Sequence, residues 1–542
     1  MKEQIQLIDK LINEDKNFRK AEQIAWELYK SNSQNFHIKK ILALVLLLQQ
    51  NYVLSEKYYI ECANENPNDF DVNNNLASIY AYEEEFKLCE KYAIQANNID
   101  DQKPGPYIHL ADLSIRTKQF EKAKKIIDKC FELLGGKENI IDPTLPDNIK
   151  LRNMYTDVLM SLYGDTAAIE FLKSINEKSR EQKYFGEVFG ENLYKIGDIN
   201  IKSLSKDEVQ DLHSIVDKNY ETEHSKFKNT VGANFALGQY YNSIKNKEET
   251  EKFYDDGNKT IYKKQRFVPL HEQKNILNIF NAYNTMPPSK DPKKGQGIIF
   301  VVGLPRSGTT LLESIFATNK NIESGGELLS MSKICGSFIE KEMQKFDEKG
   351  LDEVVDFLGD KYLNRIDFLR NDKKFFIDKL PFNYRHAGLI SKIFPGSKII
   401  NMKRNIWDVC VSAYKQMYIQ NVAYSSNFFY MALGAANYLT CIQKWAKDPN
   451  ISNFKSVNYE ELVSNPNEVS EDIFNFCGID GGYSLKDRGN FLARTASQNQ
   501  IKQDIHQKSV NKQEFQSYKK EFDQSFEQQL DFWQKKGLYI RN

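Results

Sequence analysis

Between Gly297 and Phe316 the chain reads GIIFVVGLPRSGTTLLESIF. An apolar run, Ile298 to Val302, ends at Gly303. The loop Leu304-Pro305-Arg306-Ser307-Gly308 follows, and a helix-like stretch opens on Thr309 and Thr310. A strand, a glycine-bounded loop and a helix N-terminus leave several backbone N–H groups without partners, and the helix dipole adds partial positive charge. Such a segment cradles an anion, phosphate above all. The nucleotide loop G-x-x-x-x-G-K-[ST] has the same glycine spacing, but here Thr309 stands where its lysine would be. Arg306 can reach around a bound phosphate and replace that charge, while Thr309 and Thr310 offer hydroxyls. The bland alternative is a tight strand–helix turn with a chance arginine.

Other charged residues stand at turns and strand ends. Glu327 follows two glycines in SGGELLSM, a sharp turn that would aim its carboxylate; an ordinary acidic charge at a helix start fits equally well. In FFIDKLPFNYRH an apolar strand ends in Asp378 and Lys379, and Pro381 forces a turn. Residues at the carboxyl ends of parallel strands face the ligand crevice. Lys379 there is a candidate for catalysis or a plain strand-end charge, and Asp378 is a candidate magnesium ligand of a nucleoside-triphosphate enzyme. In INMKRNIWDVCVSAYKQ a strand ends in Lys403 and Arg404, and Ser412 lies two turns further along the next helix. That makes a second anion site, and two such sites on one sheet suggest a ligand phosphorylated at two places. The histidines are dispersed and suggest no metal site; His386 alone lies near these motifs.

These residues need elements to hold them. The chain has 542 residues, more than one core accommodates, and 41% of them are apolar, enough for globular packing. Lys+Arg and Asp+Glu are each 74, so no net charge draws the chain to nucleic acid. Seven scattered cysteines without a C-x-x-C pair argue against zinc ribbons and disulfide scaffolds and for a reducing compartment. The charged start MKEQIQLIDKLINEDK is no signal peptide, and Ile41 to Leu48 is too short a run to span a membrane. The expectation is a soluble, cytoplasmic protein.

The N-terminal half repeats. Phe18, Tyr52, Phe86 and Phe120 are spaced by 34 residues, as are Ala21, Ser55, Cys89 and Ala123, and Ile24, Tyr58, Tyr92 and Ile126. Ile8, Leu42, Leu76 and Leu110 keep the same step. That period is the period of tetratricopeptide repeats, each a pair of antiparallel helices. The small residue lets the second helix approach the first, and the aromatic before it closes the turn. The repeats are expected over 1–135 and divergent helical repeats over 136–285, ending in one repeat-like pair within NFALGQYYNSIKNKEETEKFYDDGNK. A linker at Met286 to Gly295, rich in proline, glycine and charge, closes that region. Beyond it the runs IIFVV, KFFID and SKIINM alternate with helical stretches, the pattern of a parallel sheet covered by helices over 296–542.

The second region resembles sulfotransferases that use 3′-phosphoadenosine 5′-phosphosulfate (PAPS). Within them it is most similar to bacterial proteins joining tetratricopeptide repeats to a sulfotransferase domain, relatives of the tyrosylprotein sulfotransferases. The likeness rests on GLPRSGTTLLE, GGELL, DKLPFN, KRNIWDVCVSAYKQ, VNYEELVSNP and RTASQNQIKQDIHQKSVNK, in that order. It implies a P-loop-like α/β fold and PAPS as donor, with no metal. It implies that Arg306, Ser307, Gly308, Thr309 and Thr310 bind the 5′-phosphosulfate and that Arg404 and Ser412 bind the 3′-phosphate. Tyr459 would contact the nucleotide, and Ser497 and Lys512 would close over it. Glu327 matches the general base, and Lys379 the lysine that neutralises charge between the leaving phosphate and the sulfuryl group. The chain departs from the family pattern at Asn405, where an acid often follows the strand arginine. It departs again at Asn511-Lys512-Gln513-Glu514, where the pattern has Arg-Trp.

The reading that unites these features is transfer of the PAPS sulfuryl group to a hydroxyl. The repeats favour a peptide or protein acceptor, with tyrosine the candidate residue, because their concave surfaces bind peptides. A nucleotide-dependent kinase and an interaction scaffold with an inert α/β domain are the alternatives. The absent loop lysine counts against the first, and the intact set Arg306, Glu327 and Lys379 against the second.

Overall fold

The computed structural model describes residues 1–541 apart from 143–144, 181–184, 266–267, 338, 340–350, 419–422, 492–509 and 511–512. Contacts divide the chain into two units, Met1–Leu162 and Tyr163–Asn542.

The first unit is a series of helix pairs: α1 (Lys2–Asn13) and α2 (Phe18–Ser31), α3 (Phe36–Leu48) and α4 (Tyr52–Glu65), α5 (Phe70–Glu83) and α6 (Phe86–Ile99), α7 (Pro104–Arg116) and α8 (Phe120–Leu133). The spaced aromatics Phe18, Tyr52, Phe86 and Phe120 each open the second helix of a pair. The residue before them caps it where chemistry allows: the Asn17 and Asn51 side chains accept from the N–H of Lys20 and Leu54. Ala21, Ser55, Cys89 and Ala123 are all buried, as close helix approach requires. At the one polar position the Ser55 hydroxyl donates to the Ala43 carbonyl of the facing helix at 2.8 Å. The helix α9 (Pro146–Tyr163) follows, out of phase with the repeats.

The second unit begins with further helices: α10 (Asp165–Ser179), α11 (Phe185–Asn200), α12 (Lys206–Val216), α13 (Glu223–Ser243), α14 (Lys247–Lys264) and α15 (Pro269–Thr285). Residues 286–295 are not helical, and they are pinned in place. The Ser289 N–H donates to the Lys392 carbonyl at 2.8 Å, and Lys294 pairs with Asp360 at 2.9 Å.

The sheet follows, with strands β1 (Ile298–Gly303), β2 (Ile322–Ser324), β3 (Phe375–Asp378), β4 (Lys398–Lys403) and β5 (Phe454–Asn458). Its order is β2-β3-β1-β4-β5 and every pairing is parallel. Its helices are α16 (Thr309–Phe316), α17 (Ser330–Ser337), α18 (Leu351–Arg370), α19 (Ala387–Ile393), α20 (Ile406–Tyr414), α21 (Phe428–Lys447), α22 (Tyr459–Ser464), α23 (Pro466–Cys477) and α24 (Lys519–Lys535). The central strand β1 is buried along its whole length, which is why it reads as unbroken apolar sequence rather than as alternation. Ile299 and Val301 pack with Leu312, Ile315 and Phe316 of α16 and with Ile473 and Phe474 of α23. Phe300, between them, points to the other face and packs against Tyr362 and Phe394. Helices therefore cover both faces, and the crevice lies at the carboxyl ends of the strands. No helix among the described residues is long and apolar enough to cross a membrane.

Candidate functional site

The loop after β1 is a strained turn. Arg306 has φ of 74° and Gly308 has φ of 106°, and a non-glycine residue in this region costs about 1–2 kcal/mol. Strain of this kind persists where surroundings enforce it, and it collects at ligand sites. Gly308 is also hemmed in: a Cβ there would lie 2.4 Å from Cδ2 of Tyr459. The loop therefore needs glycine both for its dihedral and for the ring packed over it. Gly308 is the N-cap of α16 and has no side chain to cap it, and a helix start without a side-chain cap suits an anion. Ser307, Thr309 and Thr310 are all buried around this turn. The Ser307 hydroxyl, 1% exposed, has no hydrogen-bond partner among the described residues, as expected of a group meant for a ligand.

The strand β4 delivers Arg404 to the same place. Its Nη1 donates to the Arg306 carbonyl at 3.0 Å, and its guanidinium lies over the Tyr459 ring, 4.2 Å from the centroid. Nε of Arg306 in turn donates to the Ser412 hydroxyl at 3.1 Å. The residues expected to form two separate anion sites are thus one connected chain: Ser412, Arg306, Arg404, Tyr459. Burial holds the Arg404 guanidinium below its ordinary value, and the neighbouring Arg306 charge pushes the same way; Tyr459 and Asp408 oppose both. Two guanidinium groups close together and partly dehydrated suit an anionic ligand. Asn405 caps α20 by accepting from the Asp408 N–H at 3.1 Å, and its own N–H donates to Glu460 at 2.8 Å.

Lys379 stands at the tip of β3. Its side chain is fully buried, and its Nζ lies 2.6 Å from Oε1 of Glu327 and 3.5 Å from Oε2 of Glu313. The backbone makes the first pairing. The Lys379 N–H donates to the Gly326 carbonyl at 2.9 Å and the Gly325 N–H to the Ile377 carbonyl at 2.9 Å. This prolongs the β2–β3 ladder past its end and sets Glu327 beside Lys379. Gly326 has φ of 68°, the left-handed turn that the two glycines predict. Glu327 is exposed, with 41% of its side chain accessible, so it can meet an incoming substrate.

Glu313 is a site residue that sequence reasoning missed. It lies on α16, four residues after Thr309, and is 1% exposed. Its Oε1 accepts from the Ser324 hydroxyl at 2.6 Å. Burial pushes its carboxyl above the ordinary range, while Lys379 and the Ser324 hydrogen bond pull it back down. A glutamate inside the first helical turns was the only available signal, and it does not tell a buried ion-pair partner from a surface charge. Tyr418 was missed as well. Burial raises its phenol above the usual value, the Arg306 charge opposes that and the Glu327 charge reinforces it.

Other candidates fall elsewhere. Asp378 is buried and accepts from the Tyr362 hydroxyl at 2.8 Å, on the far side of the strand from Lys379. Burial, aided by the Arg385 charge, pushes the buried His386 imidazole down to about 3. It is neutral at working pH. Ser497 and Lys512 lie outside the described residues. Among the described residues no cluster of His, Cys, Asp and Glu is placed to hold a metal ion.

Residues 298–483 match the model of the sulfotransferase family. An uncharacterised protein of Aquifex aeolicus is 29% identical over 244 residues, 42% of this chain and 30% of that protein. Protein-tyrosine sulfotransferase 2 of Gallus gallus is 24% identical over 203 residues, 34% of this chain and 52% of that protein. The aligned region thus spans a third to a half of these relatives' length. Among solved structures, the sulfotransferase domain from the curacin biosynthetic pathway aligns at 17% identity with a TM-score of 0.26, covering 46% of this chain and 93% of that one.

Proposed function

We propose that this chain, whose residues 298–483 match the sulfotransferase family model, moves the sulfuryl group of PAPS to an acceptor hydroxyl. The observation that carries the reading is the pairing of a fully buried Lys379 with an accessible Glu327 at 2.6 Å, at the strand ends that also present Arg306 and Arg404. The unpartnered Ser307 hydroxyl, the start of α16 without a side-chain cap and the Arg404 guanidinium within electrostatic reach of Arg306 fit a bisphosphorylated anion. Arg306, Ser307, Gly308, Thr309 and Thr310 would hold the 5′-phosphosulfate. Arg404 and Ser412 would hold the 3′-phosphate, and Tyr459 the nucleotide. Ser497 and Lys512 remain part of the proposal as closing residues. The donor supplies an activated sulfuryl group, whose transfer has a loose, charge-rich transition state like that of phosphoryl transfer.

The chain's own residues do the rest. Glu327 takes the proton of the acceptor hydroxyl at a carboxylate oxygen, a role worth about 10²–10⁴ in rate. Lys379 holds positive charge where the departing oxygen becomes negative, worth roughly 3 kcal/mol for a typical donor of this kind. We place the acceptor in the class of peptide or protein tyrosines. A phenol with a pKa of about 10 gives up its proton more readily than an aliphatic alcohol, and the relative from Gallus gallus is named for that substrate. The helical repeats supply a surface for a polypeptide. We place the chain in a reducing, cytoplasmic compartment, the setting suggested by scattered cysteines without a C-x-x-C pair. A kinase reading loses support, since Asp378 is engaged with Tyr362 away from the crevice.

The test is to incubate the protein with PAPS carrying labelled sulfur and a cell lysate, then identify the labelled product. Label on tyrosine residues is expected, at the same level with and without magnesium. Absence of any labelled acceptor, with PAPS binding also absent, refutes the proposal; label on a glycan, lipid or small phenol refutes the acceptor class alone.

A further inference from the structure

Lys379 carries two carboxylates. Glu327, on the turn after β2, is exposed and would gain a proton during transfer. Glu313, on α16, is buried, and its other oxygen is held by Ser324 of β2 at 2.6 Å. From these contacts, and resting on the sulfotransferase reading above, we propose that Glu313 is the permanent counter-ion of Lys379. It keeps that side chain an ammonium and aims it while Glu327 changes charge.

The argument is a charge count over one proton transfer. At the start a single ammonium faces two carboxylates. When the acceptor O–H bond breaks, its electron pair stays on the acceptor oxygen and the proton adds to Glu327, which becomes neutral. With Glu327 alone as partner, Lys379 would then be a buried cation with no protein counter-charge at the moment its charge is needed. Such a group tends to lose its proton. Glu313 removes that difficulty, because it is 1% exposed and one of its oxygens is held by Ser324. Among the described residues, the polar groups in contact with the pair are Ser324 from β2 and Glu327 from the following turn. Asp378, the adjacent residue in sequence, bonds to Tyr362 instead. Glu313 is therefore a positioning residue, acting through Lys379 and never on the substrate.

The test reads Lys379 directly. Lysine labelled with ¹³C at Cε, assigned by loss of the signal in Lys379→Ala, reports its titration in the protein without donor. In Glu313→Gln the Lys379 titration should fall by about one pH unit or more, and in Glu313→Asp it should stay near that of the parent. In transfer assays Glu313→Gln should lower kcat by about tenfold or more, leave the KM for donor within about threefold, and move both limbs of the pH profile downward. A merely structural role would lower the amplitude and leave the limbs in place. An unshifted Lys379 titration in folded Glu313→Gln overturns the proposal. Should that variant not fold, Glu313→Ala, which removes the same charge, is titrated in its place; an unshifted Lys379 signal there overturns the proposal equally. If the parent transfers no sulfate at all, the proposed function fails while the lysine titration still decides the role of Glu313.

Discussion

Residue by residue, the site is a division of labour between buried and accessible charge. Lys379 is fully enclosed while its partner Glu327 meets solvent, so one group can stay fixed while the other exchanges a proton. Lys379→Ala should cut turnover by at least about 10²-fold with donor affinity largely kept, and Glu327→Gln by about 10²–10⁴-fold; unchanged turnover in either variant removes the role assigned to it. Arg404 braces the loop after β1 through the Arg306 carbonyl. Arg404→Ala should weaken donor binding by about 10–100-fold, the worth of one charged hydrogen bond, and calorimetry with donors lacking the 3′-phosphate should show little further loss. His386 gives a prediction about stability. Its folded-state value of about 3 lies below the ordinary 6.5, so the unfolded chain takes up a proton first as the pH falls. The stability linked to the neutral ring is intact above about pH 6.5 and shrinks as the pH drops toward 3, by about 2 kcal/mol at pH 5. The urea midpoint of His386→Phe should therefore fall less between pH 7 and pH 5 than that of the parent, and equal falls would contradict the assignment.

At the scale of elements, two glycines decide whether charge arrives in the right place. At Gly308 both the left-handed dihedral and the Tyr459 ring exclude a side chain. At Gly326 nothing lies within 4 Å of the point a Cβ would occupy, and only the dihedral matters. Gly308→Ala should thus reduce donor affinity sharply, since either the loop or Tyr459 must move. Gly326→Asn should be tolerated better than Gly326→Val, because asparagine enters the left-handed region more easily than a β-branched residue. Matched donor-binding titrations would check both; equal effects of asparagine and valine would show that the turn is not what positions Glu327. The sequence announces β1, β3 and β4 as apolar runs. It conceals β2, which has only three residues, and β5, where polar residues interrupt an edge strand. Those two edges matter, since β2 leads into Glu327 and β5 into Tyr459.

At the scale of the whole molecule, the site helix α20 depends on helices far away in sequence. Trp407, Val411 and Tyr414 of α20 share one apolar cluster with Phe227, Phe235, Tyr254 and Ile261 of α13 and α14 and with Phe522 of α24. The Asn258 side chain donates to the Tyr414 carbonyl at 2.8 Å, and the Tyr414 hydroxyl donates to Asp255 at 2.8 Å. A chain beginning at residue 163 should therefore fold and bind donor, whereas one beginning at 296 strips the cluster of its cover and should aggregate. Solubility and donor binding of the two truncations decide this; a stable, donor-binding chain from 296 would show that α13 and α14 are dispensable. The repeat half was legible because its helices recur at a fixed step and each contacts near neighbours in sequence.

Local sequence determined what local physics governs: the phase of the repeats, the strand–loop–helix that opens at Ile298, the glycine turn before Glu327 and the identity of the charged strand ends. It could not decide which charges meet. Glu313 finds Lys379 across more than sixty positions of chain, and Arg306 finds Ser412 across a hundred, because parallel strands bring their carboxyl ends together only once the sheet has formed. Burial, and with it the shifts at Glu313, Arg404 and His386, likewise belongs to the packed molecule, since a side chain's solvent is set by whatever the fold lays over it.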